Sequence, residues 1–332
     1  MKALRSHAVG GPETLTLDEI ETPTPGKGEV LVAVKACAIN YPDTLIIRDL
    51  YQFKPERPFA PGGELAGVIE AVGEGVEGYK AGDRVMAGIG NGGLAEKVIV
   101  PAGRMFPIPD GVPFEKAASL LMTYGTTIHG LKDRGHIKEG DTVLILGAAG
   151  GVGLSAIELA KAFGARVIAA VSSEAKGEVA RKVGADDVVI YPRGEMDKDA
   201  SKELANAFKA ACGPGGANIV YDIVGGQYSE PALRAIAWEG RFLVVGFPAG
   251  IAKMPLNLTL LKSCDICGVF WGAFTAREPT KFVAQVKELF ALMQEGKIDP
   301  LVSETFPLER AGEAIAKLEN REAVGKLVVM ID

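Results

Sequence analysis

The segment Val143-Leu144-Ile145-Leu146-Gly147-Ala148-Ala149-Gly150-Gly151-Val152-Gly153 sets an apolar run against a cluster of glycines, and Leu154, Ile157 and Ala160 follow at helical spacing. A buried strand that turns through glycines into a helix N-terminus presents backbone N–H groups and the positive end of the helix dipole. Together these suit a pyrophosphate. Gly150 lets the backbone approach the phosphates, and Gly153 lets helix and strand pack closely. Ala148 stands at the first glycine of the G-x-G-x-x-G pattern, so the strand–loop–helix–strand context carries the reading. The next strand, Arg166 to Val171, ends in Ser172-Ser173, where an NAD site places an acid for the ribose 2'-hydroxyl. Two hydroxyls, Lys176 one turn later, and Arg193 after Tyr191 instead offer donors and positive charge to a 2'-phosphate, so NADPH is the expected cofactor. Glu174 works against this expectation, because a carboxylate facing that phosphate would repel it.

Other residues bear on metal chemistry. A closed structural zinc site needs four ligands, and Cys264-x-x-Cys267 is a single pair inside an apolar run. With Cys37 and Cys212 far from it, all four cysteines read as free thiols. The three histidines, His7, His129 and His136, have no ligand spacing to a cysteine pair, so no metal is expected.

The elements that must position these residues divide into two textures. Up to about Ile108 the chain reads as short strands, Glu29 to Ala38, Gly67 to Val72 and Glu96 to Val100 among them, closely punctuated by glycine and proline. From about Phe114 helix-like and strand-like blocks alternate, as in βαβ units on a parallel sheet. Strand candidates are Thr142 to Leu146, Arg166 to Val171, Val188 to Tyr191, Ile219 to Val224, Phe242 to Val245 and Asp265 to Phe270. Helices are expected over Gly153 to Phe163 and Lys281 to Gly296. At 332 residues the chain exceeds what one core usually holds, so more than one domain is expected.

Bulk properties exclude some functions. A net charge of -6 argues against a general nucleic-acid binder, whose affinity comes from clustered Lys and Arg. No long apolar run suggests a membrane segment, and neither the first residues nor the cysteine usage points to secretion, so a cytoplasmic protein is expected.

Several motifs occur together in order: Gly11-Pro12-Glu13, Ile39-Asn40-Tyr41-Pro42-Asp43, Pro61-Gly62-Gly63-Glu64-Leu65-Ala66-Gly67-Val68, Gly82-Asp83-Arg84-Val85, the loop from Ala148 to Gly153, Tyr221-Asp222-Ile223-Val224-Gly225, Gly246-Phe247 and Gly325-Lys326-Leu327-Val328. Over essentially its whole length the chain resembles the zinc-free quinone oxidoreductase branch of the medium-chain dehydrogenase/reductase superfamily. The resemblance implies an α/β protein with a GroES-like β-barrel catalytic lobe (1–118), a Rossmann doubly wound parallel sheet (119–270), and a C-terminal segment (271–332) that completes the catalytic lobe. It implies cofactor contacts at Ala149, Gly150, Gly151, Val152 and Gly153, at Ser172, Ser173, Lys176 and Tyr191, and at Val224, Gly246, Phe247 and Phe270. It puts Asn40 and Asp43 beneath the substrate, Thr126 facing the nicotinamide, and Tyr51 where related reductases place a tyrosine. Asn40 and Gly63 stand where zinc-dependent relatives have ligands, and Glu64 is left to buttress the barrel. A homodimer through the last Rossmann strand is a further expectation.

Without a Lewis acid, reduction of an electron-poor acceptor is easier than oxidation of a simple alcohol. The expected activity is therefore hydride transfer from NADPH to a quinone or an α,β-unsaturated carbonyl, with a small molecule as the partner. Tyr51 and water both stand as proton donors. An enoyl-thioester reductase and a non-catalytic NADPH-binding protein are the alternatives, and acidic charge weighs against RNA contact for the latter.

Overall fold

A computed structural model describes all 332 residues, and the chain separates into two compact units, Met1–Met122 with Pro300–Asp332, and Thr123–Asp299. In the first unit, β1 (Lys2–Ser6) pairs antiparallel with β2 (Leu15–Glu19). The long strand β3 (Glu29–Ala38) is central, and β4 (Glu64–Val72), β5 (Arg84–Gly88), β6 (Lys97–Pro101) and β7 (Met105–Pro107) assemble around it with antiparallel pairing.

The second unit is a six-stranded, wholly parallel sheet. Its strands are β8 (Thr142–Leu146), β9 (Arg166–Val171), β10 (Asp187–Ile190), β11 (Ala217–Asp222), β12 (Ile236–Val244) and β13 (Asp265–Gly268), in the order β10-β9-β8-β11-β12-β13. Val143, Leu144, Ile145 and Leu146 of β8 are buried, as a parallel strand covered on both faces requires. The chain then returns to the first unit as β14 (Val302–Pro307) and β15 (Lys326–Met330). β15 lies between β14 and β3, with Val328 opposite Ala38. This is the α/β arrangement expected, with a GroES-like β lobe and a Rossmann-type sheet.

The expected boundary at 271 is corrected by this division. The helices Trp271–Arg277 and Pro279–Gln294 belong to the second unit, because their side chains pack there. Phe274 stacks on His129 at 4.0 Å, Lys132 reaches Glu288 at 2.7 Å, and Gln285 donates to Asp133 at 2.8 Å. Only Pro300–Asp332 completes the first unit.

β3, β8 and β9 have the bounds their composition suggests. β4 begins at Glu64, three residues before its apolar run, since the strand is headed by a buried carboxylate. The last Rossmann strand is shorter than expected and stops at Gly268; Phe270 instead caps the helix Trp271–Arg277.

Candidate active site

In the second unit the chain runs outward on one side from β8 to β10 and on the other from β11 to β13, so the loop after β8 lies where the strand order reverses. That is the switch point at which open α/β sheets bind ligands. The turn is made by Gly147, whose φ of 74° suits glycine. Ala148, at the first glycine position of the pattern, follows it and is buried. A Cβ on Gly147 would lie 2.9 Å from Val224, and one on Gly153 would lie 2.4 Å from the Gly147 carbonyl oxygen, so both glycines are required by packing. Gly150 caps the helix Gly151–Ala162. The first-turn N–H groups have no carbonyl within the helix to bond, which is the arrangement that suits an anion. Ala149, expected among the contacts, has its side chain buried, whereas Gly150, Gly151 and Val152 are partly exposed.

At the end of β9, Ser172 and Ser173 are half-buried, and the Ser173 hydroxyl accepts from the Lys176 N–H at 3.4 Å, capping the helix Glu174–Val183. The Lys176 ammonium is held below its ordinary pKa by burial and by the nearby Arg193 guanidinium. Glu174 does not oppose them: Arg181 takes its carboxylate at 2.6 Å and binds Glu178 at 2.6 Å as well. Tyr191, at the end of β10, is buried with its ring 4.8 Å from that of Tyr228.

On the other side of the switch point, Asp222 accepts from the N–H groups of Val224 at 2.9 Å and Gly225 at 2.8 Å and from the Ser229 hydroxyl at 2.5 Å. Burial pushes its carboxyl up, with those donors opposing. Asp222 thus shapes the loop that carries Val224. Gly246 receives no larger side chain easily, since a Cβ would lie 3.2 Å from the Ile223 oxygen, and Phe247 and Phe270 are 53% and 58% exposed. Thr126 is half-buried on the helix Leu121–Ile128, next to Gly125, against which the Trp271 indole packs. Composition gave no hint that Thr127, Ser155 and Tyr221 form a buried hydroxyl chain, with Thr127 2.7 Å from Ser155 and Tyr221 donating to Thr127 at 3.2 Å. It ties that helix to β11 and to the helix Gly151–Ala162.

In the first unit Asn40 and Asp43 start the helix Tyr41–Ile46, and neither presents a free side chain. Asp43 is 2% exposed; its carboxylate accepts from the N–H groups of Asn40 at 2.8 Å and Gly62 at 3.0 Å. Burial pushes it up to about 6, although those two N–H groups and Lys326 pull the other way. The Asn40 carboxamide donates to Glu64 Oε2 at 2.9 Å and to the Ala38 oxygen at 3.3 Å, while its Oδ1 accepts from Lys326 at 2.7 Å. Glu64 also accepts from the Met122 N–H at 2.8 Å, so it does buttress the lobe. Asn40 and Asp43, expected beneath a substrate, are members of a buried polar cluster that Lys326 joins from the Gly325-Lys326-Leu327-Val328 motif.

Tyr51 follows the short helix, half-buried against the barrel core. Its phenol is raised by burial and then by Asp43, so it holds its proton at neutral pH, and its hydroxyl makes no hydrogen bond within the chain. The residues here do not fit a zinc ion. The Asn40 amide is fully engaged, Gly63 offers no side chain, and His7 and His129 are spent on Asp18 and Asp133 at 2.7 Å each. No three His, Cys, Asp or Glu side chains gather as a metal-holding group, and the four cysteines are buried free thiols.

Known proteins share this architecture. The family model described as alcohol dehydrogenase GroES-like domain matches residues 26–110, and that described as zinc-binding dehydrogenase matches residues 151–290. The zinc of the latter description finds no donor set in this chain. A quinone oxidoreductase-like protein 2 homolog of Nematostella vectensis is 36% identical over 332 residues, covering 99% of this chain and 88% of the relative. The quinone oxidoreductase of Rattus norvegicus is 30% identical over 334 residues, covering 100% and 98%. Among solved structures, Escherichia coli quinone oxidoreductase complexed with NADPH superimposes with a TM-score of 0.90 at 30% identity, over 99% of this chain and 100% of that one. Two units of these types in this order, with likeness along the full length, place the chain in the quinone oxidoreductase branch of the medium-chain dehydrogenase/reductase family.

Proposed function

We propose that the chain is an NADPH-dependent reductase that acts on a quinone or an α,β-unsaturated carbonyl without a metal. The observation that carries the cofactor choice is the proximity of Lys176, in the helix after β9, to Arg193, just beyond β10, while Glu174 is turned to Arg181. Two cations and the Ser172 and Ser173 hydroxyls match a 2'-phosphate, whereas a ribose 2'-hydroxyl calls for an acid. The residues fit the group as a whole: the Gly147–Gly153 loop is open to a pyrophosphate at Gly150 and closed by packing at Gly147 and Gly153.

When bound, NADPH supplies the hydride. The chain's own share is binding, orientation and a proton. The loop N–H groups and Lys176 anchor the phosphates. Tyr51 donates its proton to the reduced acceptor, since its phenol is protonated at neutral pH and its hydroxyl is uncommitted. With no ligand set to polarise an alcohol, an acceptor that is already electron-poor is favoured, and the chain's likeness to quinone oxidoreductases supports that choice. We further infer that the chain is a homodimer joined at the edge strand β13.

Initial rates of NADPH and NADH oxidation with a 1,4-quinone, a simple enone and a 2-enoyl-CoA, each with a chelator present, test this reading. Chelator-resistant reduction of the quinone or enone with NADPH preferred is the expected result. Activity confined to the thioester reassigns the chain to enoyl reduction, and tight NADPH binding with no turnover reassigns it to a binding role. Tyr51→Phe is expected to lower kcat by about 10²-fold, the lower range for a general acid; unchanged turnover transfers the proton step to water.

A further inference from the structure

We propose that Lys326 is a positioning residue for this reduction, its buried ammonium holding the Asn40 carboxamide at the head of the segment that leads to Tyr51. The role rests on the reductase reading; the geometry beneath it does not. Lys326 is 4% exposed, on β15. Its Nζ donates to Asn40 Oδ1 at 2.7 Å and to the Ile39 oxygen at 3.1 Å, and it lies 3.6 Å from Glu64 Oε2.

An ammonium can only donate and an ionised carboxylate can only accept. Asn40 sits between the two, with Oδ1 toward Lys326 and Nδ2 toward Glu64, so only one orientation of its amide satisfies every partner. That amide fixes the residue from which the helix Tyr41–Ile46 starts. The Asp43 N–H donates to the main-chain carbonyl oxygen of Asn40 at 2.9 Å, while the Asp43 carboxylate takes the backbone N–H groups of Asn40 and Gly62. The helix ends in a reversal, with the Leu50 N–H on the Leu45 oxygen at 3.0 Å and Asp49 at a φ of 56°, and Tyr51 is the next residue.

Nothing about stability demands this arrangement. Two carboxylates and one ammonium are buried together, and a buried ion set is often matched or bettered by apolar residues of the same volume. What the charge adds is direction. Lys326 arrives on the last strand and Glu64 on β4, so the cluster locks the helix that leads to Tyr51 to two strands far from it in sequence.

The test uses the full-length protein with Lys326→Met and Lys326→Arg, each alone and combined with Tyr51→Phe. Lys326→Met is expected to lower kcat at least tenfold with KM for NADPH within twofold, and Lys326→Arg to stay within about threefold of wild type. In the Tyr51→Phe background the Lys326→Met loss is expected to shrink below twofold, since Lys326 acts through Tyr51; an equal loss in both backgrounds overturns the proposal. Amide hydrogen exchange needs no turnover. The Asp43 and Leu50 amides are expected to exchange at least tenfold faster in Lys326→Met, with those of Val30 and Val32 on β3 unchanged. Should wild type reduce no acceptor, the reductase reading fails alone, and unchanged exchange at Asp43 and Leu50 is then what overturns the positioning role. If Lys326→Met does not fold, Lys326→Gln, which keeps a donor without the charge, is read in its place.

Discussion

Asp43 carries a charge where water cannot reach it, and its pH behaviour follows. Its folded-state value of about 6 lies above the ordinary 3.8, so the folded protein holds this proton more tightly than the unfolded chain does. The contribution to stability is therefore fully present below about pH 4 and is lost as pH rises through about 6. The gap corresponds to about 3 kcal/mol as an upper bound. Asn at this position cannot titrate, so the difference in urea-unfolding free energy between wild type and Asp43→Asn is predicted to favour wild type more at pH 4 than at pH 7. A difference independent of pH would remove Asp43 as the titrating group. Asn40, Glu64 and Lys326 were each noticeable in the sequence as motif members, but the contact between them was not. Lys326 is 286 positions from Asn40, and no local pattern announces a contact at that distance.

Glycine makes the phosphate loop legible at the scale of the element, because what it does there depends on neighbours within a few residues. Alanine at Gly153 would press its Cβ to 2.4 Å from the Gly147 oxygen and 2.6 Å from Ala148, against backbone that cannot rotate away. Gly153→Ala is predicted to cost about 1–3 kcal/mol of stability, the range for overpacking, and to weaken NADPH binding at least tenfold, read by thermal melting and by nucleotide fluorescence. Melting and binding equal to wild type would mean the loop relaxes freely. β8 and β9 were legible for the same local reason: both are short unbroken apolar runs closed by turn residues. The start of β4 was not, since a buried Glu64 reads as polar until its partners are known. Nor was the destination of the helix Pro279–Gln294. Its apolar face is evident in sequence, but its packing onto the Rossmann unit depends on Asp133 and Lys132, far back along the chain.

For the molecule as a whole, the sheet of the second unit ends at β13, an edge of only four residues with Ile266 37% exposed. An unpaired strand edge is a template for a second copy, and in the segment that precedes it in sequence Leu256, Leu260 and Leu261 stand open to solvent. Ile266→Lys is predicted to convert a dimer to a monomer in sedimentation velocity without altering NADPH binding; an unchanged mass would place the interface elsewhere. The return of β15 between β14 and β3 has another consequence, for the order of events during synthesis. Thr123–Asp299 is one uninterrupted stretch and has every strand of its sheet once it emerges from the ribosome. The first unit, although its residues begin to appear earlier, lacks the strand that brings Lys326 to Ile39, a contact spanning 287 positions. Its β3 edge and its buried carboxylates must wait, open and unneutralised, until β15 has been made, so of the two units the one begun first is the one finished last.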